Sequence, residues 1–219
     1  LAILEKLTNW RHKLAFLFLT VGFVICCSIG LSFYVKDFSK KCLELSSTNQ
    51  YEQVISKCAL FSAAVNSDLN FIVGESYYRL QAFDQAAAKF ETVSAADAPK
   101  AHYFLALIEI NNKNYTAAFN RALGDSGDIL MLNIFSMVFV ARFNQSNQIN
   151  DLIKGYAYSQ AIAELTTTYP QTTLNEKALL KTVTDFHEEV GDLARASMSQ
   201  EQFQQANTLA KNLMNKLVA

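Results

Sequence analysis

Glycine and proline are scarce, at 7 and 2 in 219 residues. Tight β-hairpins draw on such residues for their turns, so a strand-rich fold is excluded. Long stretches of Ala, Leu, Gln, Glu and Lys favour helix instead. Charge is thin as well. Only 18% of the residues are Asp, Glu, Lys or Arg, against about a quarter in ordinary soluble domains, so Asn, Gln, Ser and Thr must supply much of what faces water. The formal net charge of −1 leaves no basic excess to neutralise a phosphate backbone, which disfavours nucleic-acid binding. Of the three histidines, His12, His102 and His187, none has a second histidine or a cysteine at a helical spacing that holds a metal. Asp185, His187, Glu188 and Glu189 cluster in sequence, yet neighbours on a helix point in different directions, so a solvated face is expected there. A Gly-rich phosphate loop, a nucleophile elbow and paired carboxylates are all missing. The expectation is a protein that is not an enzyme, with no cofactor, no metal and no small-molecule substrate.

What the chain has in abundance is apolar residues, 51% of the total. From Leu14 to Val35 it reads LAFLFLTVGFVICCSIGLSFYV, uncharged and long enough as a helix to cross a hydrocarbon core of about 30 Å. Trp10 and Tyr34 stand where aromatic residues anchor at an interface. Arg11 and Lys13 before the run nearly balance Lys36, Lys40 and Lys41 after it, so the flanks leave the orientation open. A cleaved signal peptide ending near Ser28 and Gly30, or a lipoprotein acylated at Cys26 or Cys27, fits less well because the run is long for either. The expected organisation is a short flank over 1–13, a transmembrane helix over 14–35, helical hairpins over 36–143, and a second set with a capping helix over 151–219. One helical domain and an anchor fill this length.

After the apolar run a pattern recurs every ~32 residues. Tyr51-Glu52-Gln53-Val54 aligns with Phe83-Asp84-Gln85-Ala86 and Tyr115-Thr116-Ala117-Ala118, and later copies are read at Tyr158 to Ala161 and Leu193 to Ala196. The clearest unit runs from about Leu69 to Pro99. Val73, Gly74 and Tyr77 lie in its first helix, Phe83, Ala86 and Phe90 in its second, and Pro99 marks the break before the next. Units over 38–61 and 100–124 are more degenerate, as are the segments 159–171 and 176–196. These residues resemble the tetratricopeptide repeat family over most of 38–196. The resemblance implies an all-α solenoid of antiparallel helix pairs, in which small residues such as Gly74 and Ala86 let helices approach closely. A generic helical bundle would give the same hydrophobic period.

The resemblance further implies a concave surface lined by the first helix of each pair, here Phe71, Glu75 and Tyr78, then Tyr103, Leu107 and Ile110. An amphipathic helix or an extended apolar peptide would suit so apolar a groove. In the same register Cys42 and Cys58 fall at facing positions on the two helices of one pair, where a disulfide would form if that side of the membrane is oxidising. Ile129 to Ala141 is apolar on nearly every face and too short to span a bilayer. It is expected to be a buried central helix, or else to dock a partner helix or touch the membrane. Asn144 to Asn150 reads as an exposed loop between the two sets of hairpins, and Ser199 to Leu217 as the cap. Asn114-Tyr115-Thr116 and Asn144-Gln145-Ser146 match the glycosylation pattern, which is common by chance. The functional expectation is a single-pass scaffold of a bacterial envelope assembly of the secretion, pilus or motor type. It would sit in the inner membrane with its repeats extracytoplasmic and bind other protein subunits. The alternative is an organelle-surface receptor with cytosolic repeats.

Overall fold

The computed structural model describes residues 34–64, 68–94, 97–124, 129–168 and 174–218. Every regular element among them is a helix. These are α1 (34–47), α2 (Tyr51–Ala64), α3 (Asp68–Arg79), α4 (Phe83–Phe90), α5 (Ala98–Asn111), α6 (Tyr115–Gly124), α7 (Ile129–Ser146), α8 (Ile149–Thr168), α9 (Leu174–Ser197) and α10 (Gln200–Val218). The all-α expectation therefore holds. Except for Tyr34 and Val35, the expected transmembrane run lies outside the described residues. Among the described residues no helix is long and apolar enough to cross a membrane, α7 included.

The helices are punctuated by four non-glycine residues with left-handed backbone, Asn49, Gln81, Lys113 and Asn147, at a spacing of roughly 32 residues. At the first and third the chain closes a Schellman turn. The Asn49 amide donates to the Ser46 carbonyl at 3.0 Å and the Gln50 amide to Leu45 at 2.9 Å. The Lys113 amide likewise donates to Ile110 at 2.9 Å and the Asn114 amide to Glu109 at 2.8 Å. These bonds satisfy carbonyls that the ending helix leaves bare and turn the chain at once into the next one. Pro99 does not break anything. It sits in the first turn of α5, where a missing amide hydrogen costs nothing.

The chain divides into two compact units between Leu80 and Gln81. In the first, Cys42 of α1, Val54 and Cys58 of α2, and Leu69 and Val73 of α3 form the core, with Phe38, Leu45, Ile72 and Tyr77 packed around it. Cys42 and Cys58 are joined by a disulfide, their Cα atoms 6.2 Å apart. An open cleft of about 390 Å³ lies beside the bond, lined by Phe38, Leu45 and Lys57 among others.

In the second unit, α4 packs on α5, α5 on α6 and α7, α6 on α7, α7 on α8, and α8 on both α9 and α10. Phe90 of α4 stacks on Phe104 of α5 at 5.1 Å. Arg121 of α6 reaches both Glu91, at 3.3 Å, and Glu109 of α5, at 3.0 Å. The apolar α7 is buried nearly all round, and its two buried polar side chains are bonded. Asn133 Nδ2 donates to the Tyr103 hydroxyl at 3.3 Å and Ser136 Oγ to the Gly155 carbonyl at 2.7 Å. A core of Leu152, Tyr156, Ala157, Val190, Ala194, Ala206 and Ala210 joins α8 to α9 and α10. Ser199 and Gln202 cap α10 reciprocally. The Ser199 amide donates to Gln202 Oε1 at 2.7 Å and the Gln202 amide to Ser199 Oγ at 3.3 Å.

Three further sequence expectations change here. The segment from Asn144 to Asn150 is not a boundary loop, because α7 continues to Ser146 and α8 begins at Ile149, leaving a two-residue turn inside one packed pair. The fourth copy of the repeated pattern begins not at Tyr158, which lies in the middle of α8, but at Ile149, directly after the turn at Asn147. Leu152 then takes the place of Val54, Ala86 and Ala118, and all four are fully buried. Leu193 to Ala196 falls near the end of α9 rather than at the start of a helix. An aliphatic residue, Ile149, stands where Tyr51, Phe83 and Tyr115 are aromatic, and the large Leu152 stands where Ala86 and Ala118 are small.

Candidate functional site

On α3, Phe71, Glu75 and Tyr78 recur at the spacing that puts side chains on one face of a helix, and all three are partly buried. The Glu75 carboxylate is held by Arg79 at 3.1 Å, one turn on. Burial pushes the Tyr78 hydroxyl above its ordinary pKa, with the neighbouring Arg79 pulling the other way. The α3 face is thus aromatic, with its charge paired.

On α5 the expected trio separates. Tyr103 is only 2% exposed. Its ring meets Phe104 edge-on at 5.8 Å and its hydroxyl accepts from Asn133 of α7, so it holds α5 to α7 from inside and is not available to a ligand. Leu107 and Ile110 remain half-buried on the same helix. The neighbouring α7 supplies what the sequence reading missed. Met137, Ala141 and Asn144 stand as far before the turn residue Asn147 as Tyr103, Leu107 and Ile110 stand before Lys113, and Met137 and Ala141 are also half-buried. Counting back from a left-handed turn residue would have found them. The all-round apolarity of Ile129 to Ala141 masked which of its residues sit at the edge. In the second unit, then, the candidate surface comprises Leu107 and Ile110 from α5 with Met137 and Ala141 from α7, two helices that pack on each other.

A second constellation joins α6, α7 and α8. Phe119, Phe135, Phe139 and Tyr158 form a chain of ring contacts with centroids 5.0 to 5.9 Å apart. Arg142 and Lys154 both stand over the Phe139 ring, at 5.9 and 5.3 Å, and cover it from solvent. The buried Asp151 lies 3.4 Å from Arg142, which keeps that carboxylate from being an isolated charge. The arrangement welds α6, α7 and α8 together, and its charges face their own partners.

His187, with Asp185, Glu188 and Glu189 beside it in sequence, packs on α8 with Nδ1 2.6 Å from Ser159 Oγ. This serine and histidine do not make a nucleophilic pair. Ser159 is 2% exposed and sits mid-helix, where the surrounding amides are spent on helix hydrogen bonds and cannot cradle an oxyanion. Asp185, Glu188 and Glu189 are exposed, and among the described residues no group of His, Cys, Asp and Glu could hold a metal ion. Burial lowers the pKa of His187 below 6.5, Glu188 opposing and Arg195 reinforcing the shift. The neutral ring is therefore favoured in the fold, while the unfolded chain binds a proton more readily. Stability should be fully present above about pH 6.5 and fall as pH drops through the folded value. Thermal unfolding at pH 7.5 and pH 5 is expected to show a larger loss for the native chain than for His187→Gln. An equal loss in both would assign the pH dependence to other groups.

No family model matches the chain, and no curated protein or solved structure matches it either.

Proposed function

We propose that this chain is a non-catalytic scaffold of the tetratricopeptide repeat kind. In this reading it is anchored by the 14–35 run and holds protein partners of a bacterial envelope assembly through its helix pairs. The observation that carries the repeat reading is the recurrence of left-handed turns at Asn49, Gln81, Lys113 and Asn147, each followed by the same burial pattern. Val54, Ala86, Ala118 and Leu152 are buried one turn into the next helix, and Cys58, Phe90, Ala122 and Tyr156 one turn further. A regular turn at a fixed period is what stacked hairpins need and a generic bundle does not. The disulfide supports an oxidising compartment, hence repeats outside the cytoplasm, over the cytosolic receptor.

The partner this surface suits is an amphipathic helix. Leu107, Ile110, Met137 and Ala141 offer apolar contacts at helix spacing, and no unpaired charge stands among the four. Photo-crosslinkers placed at Ile110 and Met137 of the full chain in cells test the reading. A discrete protein adduct is expected from both sites and not from Lys211 on the exposed face of α10. With Leu107→Glu, the yield from Met137 should fall at least about tenfold, as for the loss of one central apolar anchor. Equal adducts at all three sites, or none at Ile110 and Met137, would sink the proposal.

A further inference from the structure

We infer that the first unit is a redox-conditional folding unit, in which closing the bond between Cys42 and Cys58 is what holds α1, α2 and α3 together as a partner-competent element. Among the described residues, two of the five in its buried apolar core are the cysteines themselves, and the remaining three are Val54, Leu69 and Val73. A described core that draws so heavily on one cystine is the kind of packing in which small elements rely on a covalent staple. The bond is placed to act as one. It ties the middle of α1 to the middle of α2 across a loop with a sequence separation of 16, and both sulfur-bearing residues are within 1% of full burial.

The second unit has no such dependence. In its equivalent turns the places of Cys42 and Cys58 are taken by Ala106 and Ala122, and by Val140 and Tyr156. There, packing of α5 through α8 does the work. Reduction therefore acts on one unit only. A dithiol reduces the cystine to two thiols by giving up two electrons and two protons as it closes to its own disulfide; a phosphine gives the two electrons and becomes its oxide, with water supplying the oxygen and both protons. An open cleft lined by Phe38, Leu45 and Lys57 adjoins the bond. What is lost is the restriction of the unfolded chain, since two buried thiols pack almost as well as a cystine. If α3 belongs to the partner-binding surface, which rests on the function proposed above, Phe71, Glu75 and Tyr78 are presented only where the compartment is oxidising.

The test is hydrogen exchange on the full detergent-solubilised chain, followed by mass spectrometry, with and without a phosphine reductant. Protection of core amides in 34–79 is expected to fall about 100-fold on reduction, the size of the loop-closure effect for a ring of this length. Protection in α7, α8 and α10 should stay within about twofold, and reoxidation should restore the first unit. Cys42→Ala/Cys58→Ala should reproduce the reduced pattern whether or not reductant is present, which separates loss of the bond from an effect of the reagent. Unchanged protection in 34–79 would overturn the inference, and so would a parallel loss in both units. Exchange reads folding with no partner present, so failure of the scaffold reading and failure of this inference give different results.

Discussion

Replacing Gly155 by valine is expected to destabilise the second unit by about 2–3 kcal/mol. A Cβ at this position would lie 2.8 Å from Val140 Cγ2 and 3.3 Å from both the Ser136 carbonyl oxygen and the Val140 amide nitrogen. The nearest atom belongs to a β-branched side chain with one strongly preferred rotamer in a helix, and the other two are backbone, so nothing can swing aside cheaply. Separating the helices would also stretch the 2.7 Å bond from Ser136 Oγ to the Gly155 carbonyl and expose a buried hydroxyl. Valine gains only a few tenths of a kcal/mol over glycine in helix propensity, too little to compensate. Gly124→Val is the control, since a Cβ there meets nothing within 4 Å. Hydrogen exchange in α7 and α8 should report the loss for Gly155→Val and no loss for Gly124→Val. Equal protection in the two would mean that α7 and α8 are not in close contact at this glycine.

Helix was legible across the described residues because the glycine and proline that strand-rich folds need for their turns are scarce. The first three copies were legible because Tyr51, Phe83 and Tyr115 are aromatic and the residue three later is compact. The disulfide partners were legible only through that register, which set Cys42 and Cys58 opposite each other. Tyr103 fell at the right place in the repeat but not on the surface. A tyrosine satisfies both an apolar core and a polar partner, and only the neighbouring Asn133 decides which. Met137 and Ala141 were hidden because a helix apolar on all sides carries no periodic signal to say which side is the edge. The turn residues were legible only in part, since Asn49 and Asn147 are of a type that adopts a left-handed backbone readily. Gln81 and Lys113 carry no intrinsic preference for a left-handed backbone, so their role comes from the helices they join.

Leu152→Ala is the change for which the repeat pattern and the geometry give opposite answers. Pattern alone favours it, since alanine stands at the equivalent positions 86 and 118 and is the better helix former. Packing predicts a loss of about 3 kcal/mol. In this pair α7 and α8 approach closely at Gly155, one turn along α8 from Leu152, which is fully buried where Ala86 and Ala118 stand in the earlier helices. The leucine belongs to the core shared with Tyr156, Ala157, Val190 and Ala206, so truncation would open a cavity bordered by several elements, none of which can collapse alone. Urea denaturation of the second unit, followed through exchange protection of α8, should show a clearly lower midpoint for Leu152→Ala than for the native chain. Ala118→Gly, which removes one methyl at the corresponding place, should cost less than half as much once helix propensity is subtracted. A neutral or stabilising Leu152→Ala would mean that α7 and α8 close at position 152 and that Gly155 is not where they touch.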